Sequence, residues 1–266
     1  MKPPYELNPA VCQSGNIYAD LASFYDQFCA EVDYVEQCAF AERAFALFSD
    51  NVQKDYLDLA CGTGQHLQQM IERHFLSSGL DNSVAMLAQA AERCPSAHLQ
   101  LCDLAAFEQV EAFDLVTCFL YSIHYSHPTS ALIETVRRAW RALKPGGIFI
   151  FNAVDARGIR NDSGITTQLA DADAQLSFQS RWHYRGEGDV LDLRLAINRE
   201  TSSGNEQWSD HHIMTAVTFP QLLGLLESAG FEVTMLEHDY SVMNKWDGES
   251  FNAIFIACKS DLLPSA

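Results

Sequence analysis

Positive charge is what this chain of 266 residues has least of: 17 Lys and Arg stand against 35 Asp and Glu, a net charge of −18. Nucleic acid is held by clustered Lys and Arg on phosphate, so a nucleic-acid partner is not expected, and neither is an anionic membrane surface. Long apolar runs are missing as well. No stretch of about 18 apolar residues occurs, so no membrane-spanning helix is expected. Met1-Lys2-Pro3-Pro4-Tyr5 lacks the apolar core of a secretory signal. The eight cysteines, at 12, 29, 38, 61, 94, 102, 118 and 258, include no Cys-x-x-Cys pair. The usual zinc and redox spacings are therefore absent, and reduced, mostly buried thiols in a cytoplasmic protein are expected. Close histidines occur at His124 and His127 and at His211 and His212. Pro128 denies the first pair a regular helix, and adjacent strand residues face opposite ways, so no metal site is expected.

What is present is apolar material for a sizeable core, 48% of residues with 11% aromatic, enough for one large α/β domain or two small ones. Residues 1 to 16 hold three prolines and read as loosely ordered. Leu21, Phe24, Tyr25 and Phe28 recur at helical spacing, and Val32 to Phe48 reads as a long amphipathic helix. From residue 54 strands and helices alternate. Strands are expected at Tyr56–Ala60, Leu76–Leu80, Ala97–Leu101, Phe113–Leu120 and Ile148–Ala153. Helices are expected at Gln65–Arg73, from Ser83 to Ala91, and at Ala131–Leu143. Phe113–Leu120 is the most apolar strand and should be central. This alternation predicts a doubly wound parallel sheet with its ligand at the strand C-terminal ends.

After Asp155 the texture changes. Residues 156–174 are polar without a clear period. Leu176–Tyr184, Val190–Asn198 and Gln207–Thr218 then read as about three antiparallel strands separated by turn clusters. A helix at Pro220–Ala229 and strands at Phe231–Glu237 and Phe251–Cys258 complete the chain, the last pair antiparallel. The expected division is a helical cap at 1–50, a core at 51–155 and 219–266, and a β insertion at 156–218 that lines a substrate site.

The stretch Asp58-Leu59-Ala60-Cys61-Gly62-Thr63-Gly64 joins the first core strand to its helix. A strand, a tight glycine turn and a helix N-terminus let a nucleotide-like ligand lie against bare backbone. Gly62 and Gly64 match the first half of a dinucleotide fingerprint, but the third glycine is replaced by Leu67. A ligand without phosphate needs only the two-glycine turn. Asp81 ends the second strand, placed for ribose hydroxyls, and Asp103 ends the third, placed for an adenine amine with Leu104 beside the ring. Together with Asp58 for an ammonium group, three acids end three successive strands, which favours S-adenosylmethionine over a nicotinamide dinucleotide.

Asp58-Leu-Ala-Cys-Gly-Thr-Gly, Gly79-Leu-Asp81, Cys102-Asp103, Phe113-Asp-Leu-Val-Thr and Leu143-Lys-Pro-Gly-Gly-Ile resemble the ordered motifs of class I S-adenosylmethionine-dependent methyltransferases. Tyr25-Asp26, Cys94-Pro-Ser-Ala-His-Leu, Tyr121-Ser-Ile-His-Tyr125 and Trp208-Ser-Asp-His-His-Ile-Met-Thr further resemble the amino-sugar N,N-dimethyltransferases. The resemblance implies a Rossmann-like seven-stranded sheet in order 3-2-1-4-5-7-6, last strand antiparallel, with an antiparallel β insertion after strand 5. It implies a cofactor set of Tyr18, Tyr25, Asp58, Ala60, Gly62, Gly64, Asp81, Asn82, Met86, Asp103, Leu104 and Phe119. His124 stands where many relatives carry Gly or Asn.

Acceptor candidates are Tyr121, His124, Tyr125, Arg181, Trp182, Tyr184 and His212, with His124, Tyr25 and His212 as the groups expected to orient the nucleophile or take its proton. The expected activity is methyl transfer to a small polar metabolite at an amine nitrogen, by a monomer or homodimer. An O-methyltransferase on a phenol or carboxylate, and a non-catalytic cofactor-binding protein, are the alternatives. The aromatic and histidine residues at Tyr121–Tyr125 favour an active site over a binding module.

Overall fold

The computed structural model describes residues 12–14, 16–19, 21–171 and 174–260. The expectation of a loosely ordered start falls, for residues 1–11, outside them. The first described element is β1 (Cys12–Ser14), followed by the single-turn α1 (Tyr25–Phe28) and the long α2 (Tyr34–Phe48). Asp33 caps α2 by accepting from the Glu36 amide at 2.8 Å. Five strands alternate with helices next: β2 (Asp55–Leu59), α3 (Gln65–Glu72), β3 (Leu76–Asp81), α4 (Val84–Arg93), β4 (His98–Leu101), β5 (Phe113–Cys118), α5 (Thr129–Ala142) and β6 (Leu143–Val154). The insertion holds β7 (Ile165–Asp171), β8 (Ala174–Tyr184), β9 (Val190–Thr201) and β10 (Gly204–Thr215). The chain returns through α6 (Phe219–Ala229), β11 (Phe231–Glu237) and β12 (Asn252–Lys259).

Two sheets result. The larger runs β4-β3-β2-β5-β6-β12-β11, which is the expected order 3-2-1-4-5-7-6. β5 occupies its centre with every position buried, as its apolar sequence requires. β12 runs antiparallel to both β6 and β11, so β11 points the same way as β2 and β5. Its C-terminal end therefore shares an edge with theirs. One face of this sheet buries Leu57, Val116, Phe149 and Phe255 beneath α5 and α6. The other buries Tyr56, Leu115, Ile150 and Ile256 beneath α2 and α3.

Gly79 accounts for the missing third glycine. A methyl group added there would lie 2.7 Å from Leu67 Cδ1 and 2.8 Å from Cys61 Sγ. The third fingerprint glycine serves close helix–strand packing. Here α3 keeps a leucine and the strand facing it supplies the gap.

The insertion is larger than expected. Its sheet has five strands, β1-β10-β9-β8-β7. Residues 165–171, read as part of a polar segment, pair with β8, and Cys12–Ser14, read as loose, pair in parallel with β10. A mostly polar strand is held by its ladder, which hydrophobic periodicity does not report. Leu176, Phe178, Leu191, Leu195 and Met214 pack on one face with Ile17 and Leu21. Ile17, Leu21, Phe24 and Phe28 thus sit on the insertion, whereas α2 sits on the large sheet. The helical spacing of Leu21, Phe24, Tyr25 and Phe28 is realised as a short 3₁₀ turn followed by α1.

Candidate active site

β2 ends in a turn built on left-handed backbone. Ala60, Gly62 and Gly64 have φ of 57°, 53° and 84°. Only glycine adopts that region without cost, so two of the three positions are glycine for conformational reasons. Asp81 accepts from the Gly62 amide at 2.9 Å and from the Ser83 amide at 2.8 Å, tying the turn to the end of β3.

Asp58 is 1% exposed. Thr117 donates to its Oδ1 at 2.8 Å, and Tyr56 in turn donates to Thr117 at 2.6 Å. Its Oδ2 has no hydrogen-bond partner among the described residues. His66 Nδ1 lies 3.9 Å from that oxygen. The imidazole donates from Nε2 to Gln37 at 2.7 Å, and burial holds its pKa down at about 3, so Nδ1 presents a lone pair rather than a proton. With Asp58 ionised, two acceptors therefore face each other with no donor between them. Burial, opposed in part by the Thr117 and Tyr56 hydroxyls, pushes the Asp58 carboxyl up to about 7. Tyr25, Asp58, Ala60, Gly62, His66 and Phe119 line the pocket at this point. A cationic N–H donor fits it, and the ammonium end of S-adenosylmethionine is such a group.

The N-terminal segment is fastened over this turn by one carboxylate. Asp26 accepts from Thr63 Oγ1 at 2.6 Å, Gln65 Nε2 at 3.2 Å and Arg93 Nη2 at 2.6 Å. Arg93 also donates to the Thr63 carbonyl. Tyr25 consequently lies against the turn, its Cε1 3.7 Å from where a Gly62 side chain would begin. Replacing Asp26 with Ala removes all three bonds at once. Titration calorimetry with S-adenosylhomocysteine is expected to show affinity lower by roughly tenfold, about 1.4 kcal/mol. Unchanged affinity would show that the latch does not hold the ligand.

Beyond the turn, aromatic rings gather from both sheets. Tyr18 and Tyr125 share a hydroxyl–hydroxyl bond of 2.7 Å. Tyr18 stands 5.6 Å from Tyr25 and 5.0 Å from His212, centroid to centroid. His212 Nε2 is 2.9 Å from Asp210 Oδ2 without hydrogen-bond alignment, and that oxygen accepts from the Ile17 amide at 2.7 Å. Burial lowers the His212 pKa, with Asp210 partly opposing it. On the other side Tyr121 meets Trp182 edge-on at 5.2 Å and stacks on His238 at 5.6 Å. Leu120 and Tyr121 both have left-handed backbone, φ 54° and 60°, a strain found where a site holds it in place.

The sequence expectations divide at this point. Asp58, Ala60, Gly62, Phe119 and Tyr25 come together around one pocket. Tyr18 joins them through its ring contact with Tyr25. Gly64 faces away from it, packed against Ala90 and Cys94 of α4. Met86 and Leu104 are buried, while Asn82 and Asp103 are exposed at the strand ends.

Three acceptor-side expectations need correction. His124 is 1% exposed, donates from Nδ1 to the Thr215 carbonyl at 2.8 Å and accepts at Nε2 from the Val154 amide at 3.1 Å. Both nitrogens are used inside the fold, and burial brings its pKa down to about 4, so it clips the insertion to β6 and has no lone pair for a proton. Arg181 alternates with Trp182 and lies on the opposite, solvent-facing side of β8, directly across from Arg194. Tyr184 donates to Gly188 of its own hairpin at 3.1 Å. Sequence reasoning passed over Arg93, Asn152 and His238. For His238 a signal existed, since it directly follows the end of β11, at the strand edge where Asp81 ends β3. Among the described residues no group of three His, Cys, Asp or Glu converges as a metal requires.

Comparison with known proteins follows this geometry. Residues 57–147 match the methyltransferase domain family. The chain is 26% identical over 181 residues to a dTDP-4-amino-2,3,4,6-tetradeoxy-D-glucose N,N-dimethyltransferase of Saccharopolyspora spinosa, covering 68% of this chain and 72% of that one. It is 32% identical over 108 residues to a trans-aconitate 2-methyltransferase of Variovorax paradoxus, 38% of this chain and 39% of the relative. The crystal structure of the sugar N-methyltransferase KedS8 from Streptoalloteichus superposes with a TM-score of 0.78 at 21% identity, over 97% of this chain and all of that one. With a matching methyltransferase domain over residues 57–147, at the glycine turn and the ordered motifs around it, the chain is similar to S-adenosylmethionine-dependent methyltransferases, amino-sugar N-methyltransferases among them.

Proposed function

We propose that this enzyme methylates the nitrogen of a small polar amine. The observation that carries the reading is the chemistry of the acceptor side. Among the described residues, the side-chain contacts of Tyr18, Tyr121, Tyr125, Trp182, His212 and His238 bring in Asp210 and Asn152 but no Lys or Arg. Ring faces and a carboxylate suit a cationic amine and its methylated products. A carboxylate acceptor, the substrate class in the name of the trans-aconitate relative, calls for a basic partner.

Bound at the turn, S-adenosylmethionine supplies a methyl group already activated on a sulfonium. The chain's own residues then have to orient the amine, exclude water and take its proton. The Tyr18–Tyr125 hydroxyl pair gives the amine an acceptor and a donor. His212 is held by burial in its neutral form, with Nε2 toward Asp210 and Nδ1 left for a proton. The paired dimethyltransferase relative and the shared fold with KedS8 support an amino sugar as the acceptor.

The test is a panel of acceptors with formation of S-adenosylhomocysteine as the readout. Turnover is expected with amino sugars and not with trans-aconitate. Turnover confined to the carboxylates would overturn the reading in favour of O-methylation.

A further inference from the structure

The segment after β11 carries hydrogen-bonding groups that neither the glycine turn nor the insertion accounts for. His238 is the first residue beyond β11, at the edge where the parallel strands end. Asn152 of β6 is 1% exposed and accepts from the Tyr121 amide through Oδ1 at 3.2 Å. Its Nδ2 must then be the donor toward His238 Nε2, 3.3 Å away. This assigns the Nδ1–H tautomer to His238, because Nε2 is the accepting nitrogen. Burial lowers the His238 pKa, so the ring is neutral near pH 7, and the half-buried ring has its Nδ1–H available, with Nε2 taken by Asn152.

Tyr240 follows two residues on. Its ring lies edge-on to Phe119 of the cofactor pocket at 5.7 Å and 5.3 Å from His238. Its hydroxyl is buried, has no hydrogen-bond partner among the described residues, and has the Tyr121 phenol as its electrostatic neighbour. A buried hydroxyl left alone costs free energy that a partner would recover. The loop is not slack. Glu237 donates to the Asn244 carbonyl at 3.0 Å, and Trp246 to the Met235 carbonyl at 3.0 Å. A continuous line of rings thus runs Phe119–Tyr240–His238–Tyr121–Trp182, from cofactor pocket to insertion, with the unmet Tyr240 hydroxyl at its middle.

We propose that His238 and Tyr240, positioned by Asn152, form a specificity-determining subsite that hydrogen-bonds a neutral polar group of the acceptor, a hydroxyl on its ring, away from the nitrogen that is methylated. The subsite rests on the amine-methylation reading. It places recognition of the acceptor on the β11–β12 connection as well as on the insertion.

The variants His238→Phe and Tyr240→Phe keep the rings and remove only the polar atoms. The enzyme is saturated with S-adenosylhomocysteine and titrated calorimetrically with two probes, 3-amino-3-deoxyglucose and cyclohexylamine. The unaltered enzyme is expected to prefer the hydroxylated amine by about tenfold or more, and each variant to lose most of that preference, at unchanged S-adenosylhomocysteine affinity. Equal binding of the two probes, no binding of either, or a preference that survives in both variants overturns the subsite. Failure to bind amines at all alongside binding of trans-aconitate would instead overturn the underlying amine reading.

Discussion

Replacing Asp58 with Asn is expected to weaken S-adenosylhomocysteine binding by two orders of magnitude or more at pH 8, about 2.7 kcal/mol, and to flatten its pH dependence. The unaltered protein should bind with an affinity that rises with pH and levels off above 7. The ligand's ammonium needs the carboxylate, and burial holds the empty carboxyl near 7. Each pH unit below that value leaves roughly tenfold less of the binding form, so Kd at pH 5 should be roughly a hundredfold above its plateau. Folding of the empty protein responds in the opposite direction. A carboxyl raised from 3.8 to about 7 keeps its proton in the fold while the unfolded chain has lost its own. The stability it contributes is full below about pH 4 and is lost as pH rises toward 7, on the order of 4 kcal/mol over the interval. Calorimetry at pH 5, 6, 7 and 8 decides the matter. An affinity flat across that range would show that Asp58 is ionised before the ligand arrives.

The second large effect lies where helix and strand touch. Gly79→Ala puts a methyl within 2.7 Å of Leu67 and 2.8 Å of Cys61 Sγ, both buried. Overpacking of this kind costs about 1–3 kcal/mol, which thermal unfolding should report as a Tm lower by several degrees. Leu67→Ala alone opens a cavity and costs about 2–5 kcal/mol. Combined, the two changes should be less harmful than their sum, with a coupling of about 1 kcal/mol or more, since each relieves what the other creates. Strict additivity would show that Leu67 and Gly79 do not share the space assigned to them.

That exchange also explains what could be read from the residues alone. The glycine turn, the acids ending β2, β3 and β4, and the alternation of strands and helices follow from local pattern, because backbone geometry at Gly62 and strand period in β5 are written in neighbouring positions, whereas the order of the large sheet is implied by the family resemblance. The reason Leu67 is tolerated is not, because its partner Gly79 is on another element. The same limit applies to His124. A histidine beside two tyrosines after a central strand reads as a catalytic group, yet the carbonyl and amide that occupy its nitrogens belong to Thr215 and Val154. Arg181 was misplaced for a simpler reason. Strand alternation puts it opposite Trp182, and that parity alone separates the two. Residues 165–171 escaped notice because their order comes from the ladder with β8 and not from an apolar face.

Ile17, Tyr18 and Asp26 touch both ends of the reaction space. Asp26 binds the glycine turn and Arg93, while Tyr18 reaches Tyr125 and the Ile17 amide reaches Asp210. A cofactor at the turn and an acceptor among the rings would lie under the same contacts, so both would depend on an Arg–Asp pair of side chains 22% and 31% exposed. Salt weakens such partly exposed pairs, so higher ionic strength is expected to speed release of S-adenosylhomocysteine more than it alters the chemical step.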